Sequence, residues 1–159
     1  MELSDLQNDP CRWTDIAAML GASAITIPHL KRGEKRPQNR DEWLRLGDAI
    51  AEVADRVTGE GLRIDWANHD HEYRRLQSGE RPIDLILANG NVDYELVLGW
   101  LVVAGEDVQA ELKRHAKRIR ILRIRDWDRK SGTWPRSAAA TLVMNACGPQ
   151  SKACRSCPS

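Results

Sequence analysis

The sequence predicts an all-α protein: an N-terminal helix-turn-helix bundle, a small helical C-terminal domain and a basic, partly disordered tail. Three observations carry this prediction. Trp43, Leu44, Leu46, Ile50, Val53, Ala54 and Val57 recur at three- and four-residue steps, the period of a helix with one buried face. An apolar run over 13–20 stops at Gly21 and a second begins at Ile25, the spacing of two helices joined by a tight turn. Charge divides the 159-residue chain into three parts, with 8 Lys and Arg against 11 Asp and Glu in residues 1–60, 4 against 10 in 61–112, and 12 against 2 in 113–159. A strongly basic tail beside an acidic middle implies different partners for the two.

Along the chain, Thr14 is placed to cap a short amphipathic helix over Trp13–Leu20, which Gly21 ends. Ile25, Ile27 and Leu30 offer the apolar face of a second helix closing at Lys31-Arg32-Gly33. Residues 41–58 are the most strongly periodic helix, and Gly59-Glu60-Gly61 marks the boundary after it. Residues 62–80 read as loop or short helix. Arg81-Pro82 opens the next helix, because proline is tolerated in a first turn, and the stretch from Tyr94 to Val102 is core. Over 108–125, alternating apolar and basic residues fit a helix and an edge strand equally, with helix favoured first and fading later. The domains expected are therefore 1–60, 61–112 and a tail over 113–159.

Several function classes are excluded at this level. No run approaches the roughly 18 apolar residues of a spanning helix, and Met1-Glu2-Leu3-Ser4-Asp5 is no export signal, so a cytoplasmic protein without membrane contact is expected. Three of four cysteines, Cys147, Cys154 and Cys157, crowd into the last thirteen residues, and they lack the clear fourth ligand a structural zinc site needs. His69-Asp70-His71-Glu72 places its histidines on alternate positions, which point apart on a helix. With no phosphate loop or nucleophile elbow, neither metal, cofactor nor catalytic residue is expected, and the chain reads as no enzyme.

The helix pair carries the functional expectation. Ala17 is small where two helices would cross, Gly21 can take the positive φ of the turn, and Ile27 and Leu30 re-enter the core. Ser23, Ala24, Thr26, His29, Lys31 and Arg32 then face outward, and Lys35 and Arg36 follow; short hydrogen-bonding groups with cations suit base edges and phosphates. A purely structural helix pair is the alternative. Pro28 falls inside the second helix, at about 3 kcal/mol for an interior position, unless Thr26 caps the helix and proline sits in its first turn.

The order of helix, Gly turn, helix and the loop Gly33-Glu34-Lys35-Arg36-Pro37 resembles the Xre-type helix-turn-helix repressors over residues 12–57. Trp66, the run Gly79-Glu80-Arg81-Pro82-Ile83-Asp84-Leu85-Ile86, Gly90 and the apolar segment to Gly105 look like the toxin-binding domain of the Xre/MbcA/ParS antitoxins. The resemblance implies a homodimeric antitoxin of a toxin–antitoxin system that represses its own operon. Its implied partners are operator DNA and a cognate toxin, often an NAD-consuming enzyme. It assigns toxin contact to Trp66, Arg81, Pro82, Asp84, Tyr94 and Trp100. The alternative is an Xre-type transcription repressor with no toxin partner.

Overall fold

The computed structural model describes residues 1–30, 35–125, 127–128, 130–133 and 140–143. Ala24–Ile27 is extended rather than helical, and with it the expected all-α class gives way to an α/β one. Strands β1 (Ala24–Ile27), β2 (Arg63–Ala67), β3 (Val92–Val97), β4 (Ile119–Ile124) and β5 (Ala140–Val143) form one sheet in sequential order. The pairings β1–β2, β2–β3 and β3–β4 are parallel and β4–β5 is antiparallel.

Helices fill the parallel connections, as they must when strands run the same way. After α1 (Leu3–Asn8) and α2 (Pro10–Met19), α3 (Arg40–Thr58) links β1 to β2. A 3-10 turn (Asp70–Tyr73) and α4 (Pro82–Ile86) link β2 to β3, and α5 (Leu98–Ala104) and α6 (Val108–Arg114) link β3 to β4. Four parallel strands, each beside its sequence neighbour, are the arrangement of one half of a β/α barrel.

The physical reasons for the departures are local. Ile25, Thr26 and Ile27 are all β-branched, which stiffens χ1 and favours a pleated strand. Pro28 lies just past the strand end, where its missing N–H costs no ladder bond. Gly21 does take a positive φ of 64°, but it ends α2 without starting a second helix, so the expected helix-turn-helix is not formed. In β2 and β3 the residues are buried on both faces, so neither strand shows the simple apolar–polar alternation of a half-exposed one. The stretch expected as a single core segment is β3 followed directly by α5.

Helix α3 forms as its periodicity requires. The Asn39 side chain accepts from the Glu42 backbone N–H at 2.9 Å and caps it. Trp43, Leu46, Ile50, Val53, Ala54 and Val57 are buried on its inner side. Its close approach to α4 depends on Gly47, where a Cβ would lie 2.9 Å from the Leu85 carbonyl oxygen and 3.0 Å from that of Ile86. Hydrogen bonds from Asn89 to Asp48 (2.9 Å) and from Asn91 to the Ala51 carbonyl (3.0 Å) tie the end of the β2–β3 connection to the same helix. Sheet pairing passes directly across the Gly59–Gly61 segment, through β1 and β2.

Candidate functional site

Strand alternation separates the sheet into two unlike faces. Ile25, Ile27, Ile64, Trp66, Val92, Tyr94, Leu96 and Ile119 join α3, α4 and α5 in one apolar core. The intervening residues point the other way, and Ala67 and Val97, though buried, stand outside that core. On this second face the register aligns Thr26 with Asp65 and Asp65 with Asp93; Glu95, opposite Ala67, takes the next rung. Three carboxylates are thereby set side by side on adjacent strands.

All three are buried, with Asp65 0%, Asp93 8% and Glu95 1% exposed. Arginines compensate two of them. Asp93 meets Arg63 at 3.5 Å and Arg120 at 3.4 Å, and Glu95 meets Arg123 at 2.5 Å. Asp65 is different: among the described residues neither of its carboxylate oxygens has a hydrogen-bond partner. Burial, and then the negative charge of Asp93, push its carboxyl up to about 7, against a smaller opposing pull from Arg63. A carboxyl that exchanges its proton near neutrality is what general acid–base chemistry needs.

The C-terminal ends of the parallel strands, where open and closed α/β sheets bind their ligands, carry a second cluster. Asn68 joins the ends of β2 and β3 by accepting from Val97 N–H at 2.7 Å and donating to the Val97 carbonyl at 3.2 Å. His69 is extended and the 3-10 turn follows it, so the rings of His69 and His71 come together at 5.6 Å instead of pointing apart. The His69 ring also packs on Trp100 at 5.4 Å. Glu72 is buried beneath them and accepts from His69 N–H at 2.9 Å; burial raises its carboxyl. Burial, then the charge of Arg36 and the neighbouring His69, draws His71 down to about 4, which keeps it neutral at physiological pH. Among the described residues no three His, Cys, Asp or Glu side chains gather as a metal site.

The residues expected to read DNA are dispersed. Ala24 and Thr26 are in β1, Ser23 and His29 flank it, Lys35 and Arg36 are exposed beyond it, and Lys31 and Arg32 lie outside the described residues. The residues assigned to toxin contact are mostly interior. Trp66, Arg81, Pro82 and Tyr94 are buried, and Asp84 and Trp100 are partly exposed. Several of them form one polar network in the helix layer. Arg81 donates to both oxygens of Asp84 at 2.8 Å and to Glu111 at 2.9 Å. His115 lies 3.2 Å from Asp84, and its ring meets Tyr94 edge-on at 5.5 Å. The hydroxyl of Tyr94 is hydrogen-bonded to that of Tyr73.

Sequence reasoning missed the carboxylate row. Its signal was present, since Asp65, Asp93 and Glu95 each stand between apolar neighbours with a period of two. That pattern acquires meaning once the segments are strands, because an acidic residue flanked on both sides by core positions then points to the other face.

No known family's sequence profile matches the chain. Over 72 residues, 45% of this chain and 59% of the relative, it is 31% identical to a probable mycobacterial cidal antitoxin of Mycobacterium tuberculosis. Two crystal structures of sugar phosphate isomerase/epimerases from Parabacteroides distasonis share the fold. One superposes with a TM-score of 0.66 at 21% identity, over 76% of this chain and 47% of that one. The other gives 0.60 at 24% identity, over 70% and 44%. The chain thus spans about half the length of these solved structures and under two thirds of the antitoxin. The two isomerase/epimerase structures, with the parallel sheet, correct the expectation of an all-α helix-turn-helix repressor that is no enzyme, since the architecture is one that isomerase/epimerase enzymes carry. The antitoxin relative bears out the expected antitoxin resemblance in part. Among the described residues no helix is long and apolar enough to cross a membrane.

Proposed function

We propose that this chain belongs to an acid–base catalyst of the isomerase or epimerase type, acting on a small hydroxylated carbonyl compound with Asp65 as the proton-transferring group. One observation carries the reading: Asp65 is fully buried, its oxygens have no hydrogen-bond partner among the described residues, and its proton equilibrium is displaced toward neutrality. Leaving a buried carboxyl unsatisfied costs folding free energy, and groups so perturbed concentrate at functional sites. The fold shared with the two isomerase/epimerases supports it.

Ionised Asp65 takes a proton from the carbon beside the substrate carbonyl. The C–H bond breaks, and its electron pair becomes the C=C bond of an enediolate while the carbonyl π pair moves onto oxygen. Protonation of the neighbouring carbon, with the hydroxyl proton passing to the former carbonyl oxygen as the new C=O bond forms, completes an isomerisation. Protonation of the original carbon on its opposite face, by a second acid while Asp65 keeps the abstracted proton, completes an epimerisation. Glu95, paired with Arg123 at 2.5 Å, stands one rung nearer the strand ends, where it is opposite Ala67 on the same face as Asp65.

The test is proton exchange. Incubation with aldose and ketose phosphates in D2O, followed by NMR, should show deuterium entering the carbon beside the carbonyl. Asp65→Asn should slow that exchange by at least 100-fold, about 2.7 kcal/mol of barrier. Exchange that survives in the folded variant, or no exchange with any substrate of the panel, refutes the assignment.

A further inference from the structure

A cleft of about 230 Å³ opens on the helix side of the sheet, between the start of α3 and the 3-10 turn, lined among others by Arg36, Trp43, His71, Arg74, Arg75 and Pro82. Its charge is one-sided. Among the described residues Arg36 and Arg75 have no carboxylate partner; one guanidinium nitrogen of Arg75 donates to the Gly79 carbonyl at 2.7 Å, which anchors the group and leaves its positive charge uncompensated. Arg74 pairs with Asp70 at 3.0 Å, so three guanidiniums face one carboxylate. The walls between them are apolar or neutral: Trp43 and Pro82 are buried behind, and Leu76 and Pro37 flank the opening.

We infer that this cleft binds the phosphate group of a small phosphorylated molecule, held by Arg36, Arg74 and Arg75. Guanidinium groups present paired N–H donors that match phosphate oxygens, and a cleft with low-dielectric walls concentrates their field on an anion. His71 reports that field, since Arg36 and Arg74 both disfavour its protonated form. A phosphate dianion entering the cleft reverses this effect. The volume admits a phosphate with a compact organic remainder and excludes an extended polymer from the interior. The cleft and the carboxylate row lie on opposite sides of the sheet, so the inference stands independently of proton transfer at Asp65.

Calorimetric titration with inorganic phosphate and with glucose 6-phosphate, at low and at 0.5 M salt, tests the site on the full chain. Saturable one-to-one binding is expected, at least tenfold weaker for Arg36→Ala and for Arg75→Ala, and at least 100-fold weaker for the double variant. Arg36 makes no side-chain hydrogen bond among the described residues, so Arg36→Ala separates lost affinity from lost structure. Binding should also raise the His71 titration midpoint followed by NMR, and Asp65→Asn should bind as tightly as the native chain. Absence of saturable binding at low salt, or equal affinity in the folded double variant, overturns the proposal, as does a His71 midpoint that does not move.

Discussion

Asp65 links a chemical property to a thermodynamic one. Its carboxyl titrates near 3.8 in an unfolded chain and about 7 in the fold. Between these values the unfolded state has released a proton that the folded state still holds, so the folded state binds more protons and stability falls as pH rises. The loss accumulates from about pH 4 to pH 7, reaches on the order of 4 kcal/mol, and is constant above. Asp65→Asn should remove this slope, so that urea midpoints of variant and native chain converge near pH 4 and the variant is the more stable at pH 8. An unchanged slope would place the buried proton elsewhere. His115 acts in the same direction: burial disfavours its charge, but the carboxylates of Asp84 at 3.2 Å and Glu111 at 3.3 Å outweigh that and raise its pKa. Its contribution is present at low pH and lost as pH rises through the folded value.

Among the elements, α3 was legible and β1 was not, and the difference is physical. Nineteen residues of α3 give five turns over which a 3.6-residue period can be distinguished from chance. Four residues of β1 show Ile25 and Ile27 two apart, which a short helix tolerates as easily as a strand. Pro28 was the visible warning, because the helical reading needed a special cap to accommodate it and the strand reading needs none. Gly47 shows what length alone cannot reveal. An exposed helical glycine changed to alanine stabilises by about 0.5–1 kcal/mol, but here the added Cβ would meet two α4 carbonyl oxygens at 3.0 Å or less. Gly47→Ala should therefore destabilise, by about 1–2 kcal/mol net of the helix gain, seen as a lower urea midpoint. A higher one would mean that α3 and α4 can slide apart without loss.

For the whole molecule, the site was less readable than its parts. Arg81, Asp84 and Tyr94 were singled out together from sequence and do meet, but in a buried network that ties α4 and α6 to β3. The carboxylate row depends on register between strands that are tens of residues apart in sequence, and no local pattern encodes it. The paired phenols of Tyr73 and Tyr94 draw the same layers together with an optical consequence. They are the chain's two tyrosines, and burial raises both pKa values far above the ordinary range. Alkaline titration monitored near 295 nm should then show no gradual tyrosinate band. Both rings should ionise in a single step that coincides with collapse of the circular dichroism signal, making intrinsic ultraviolet absorbance a label-free gauge of whether the helical layer still sits on the strands.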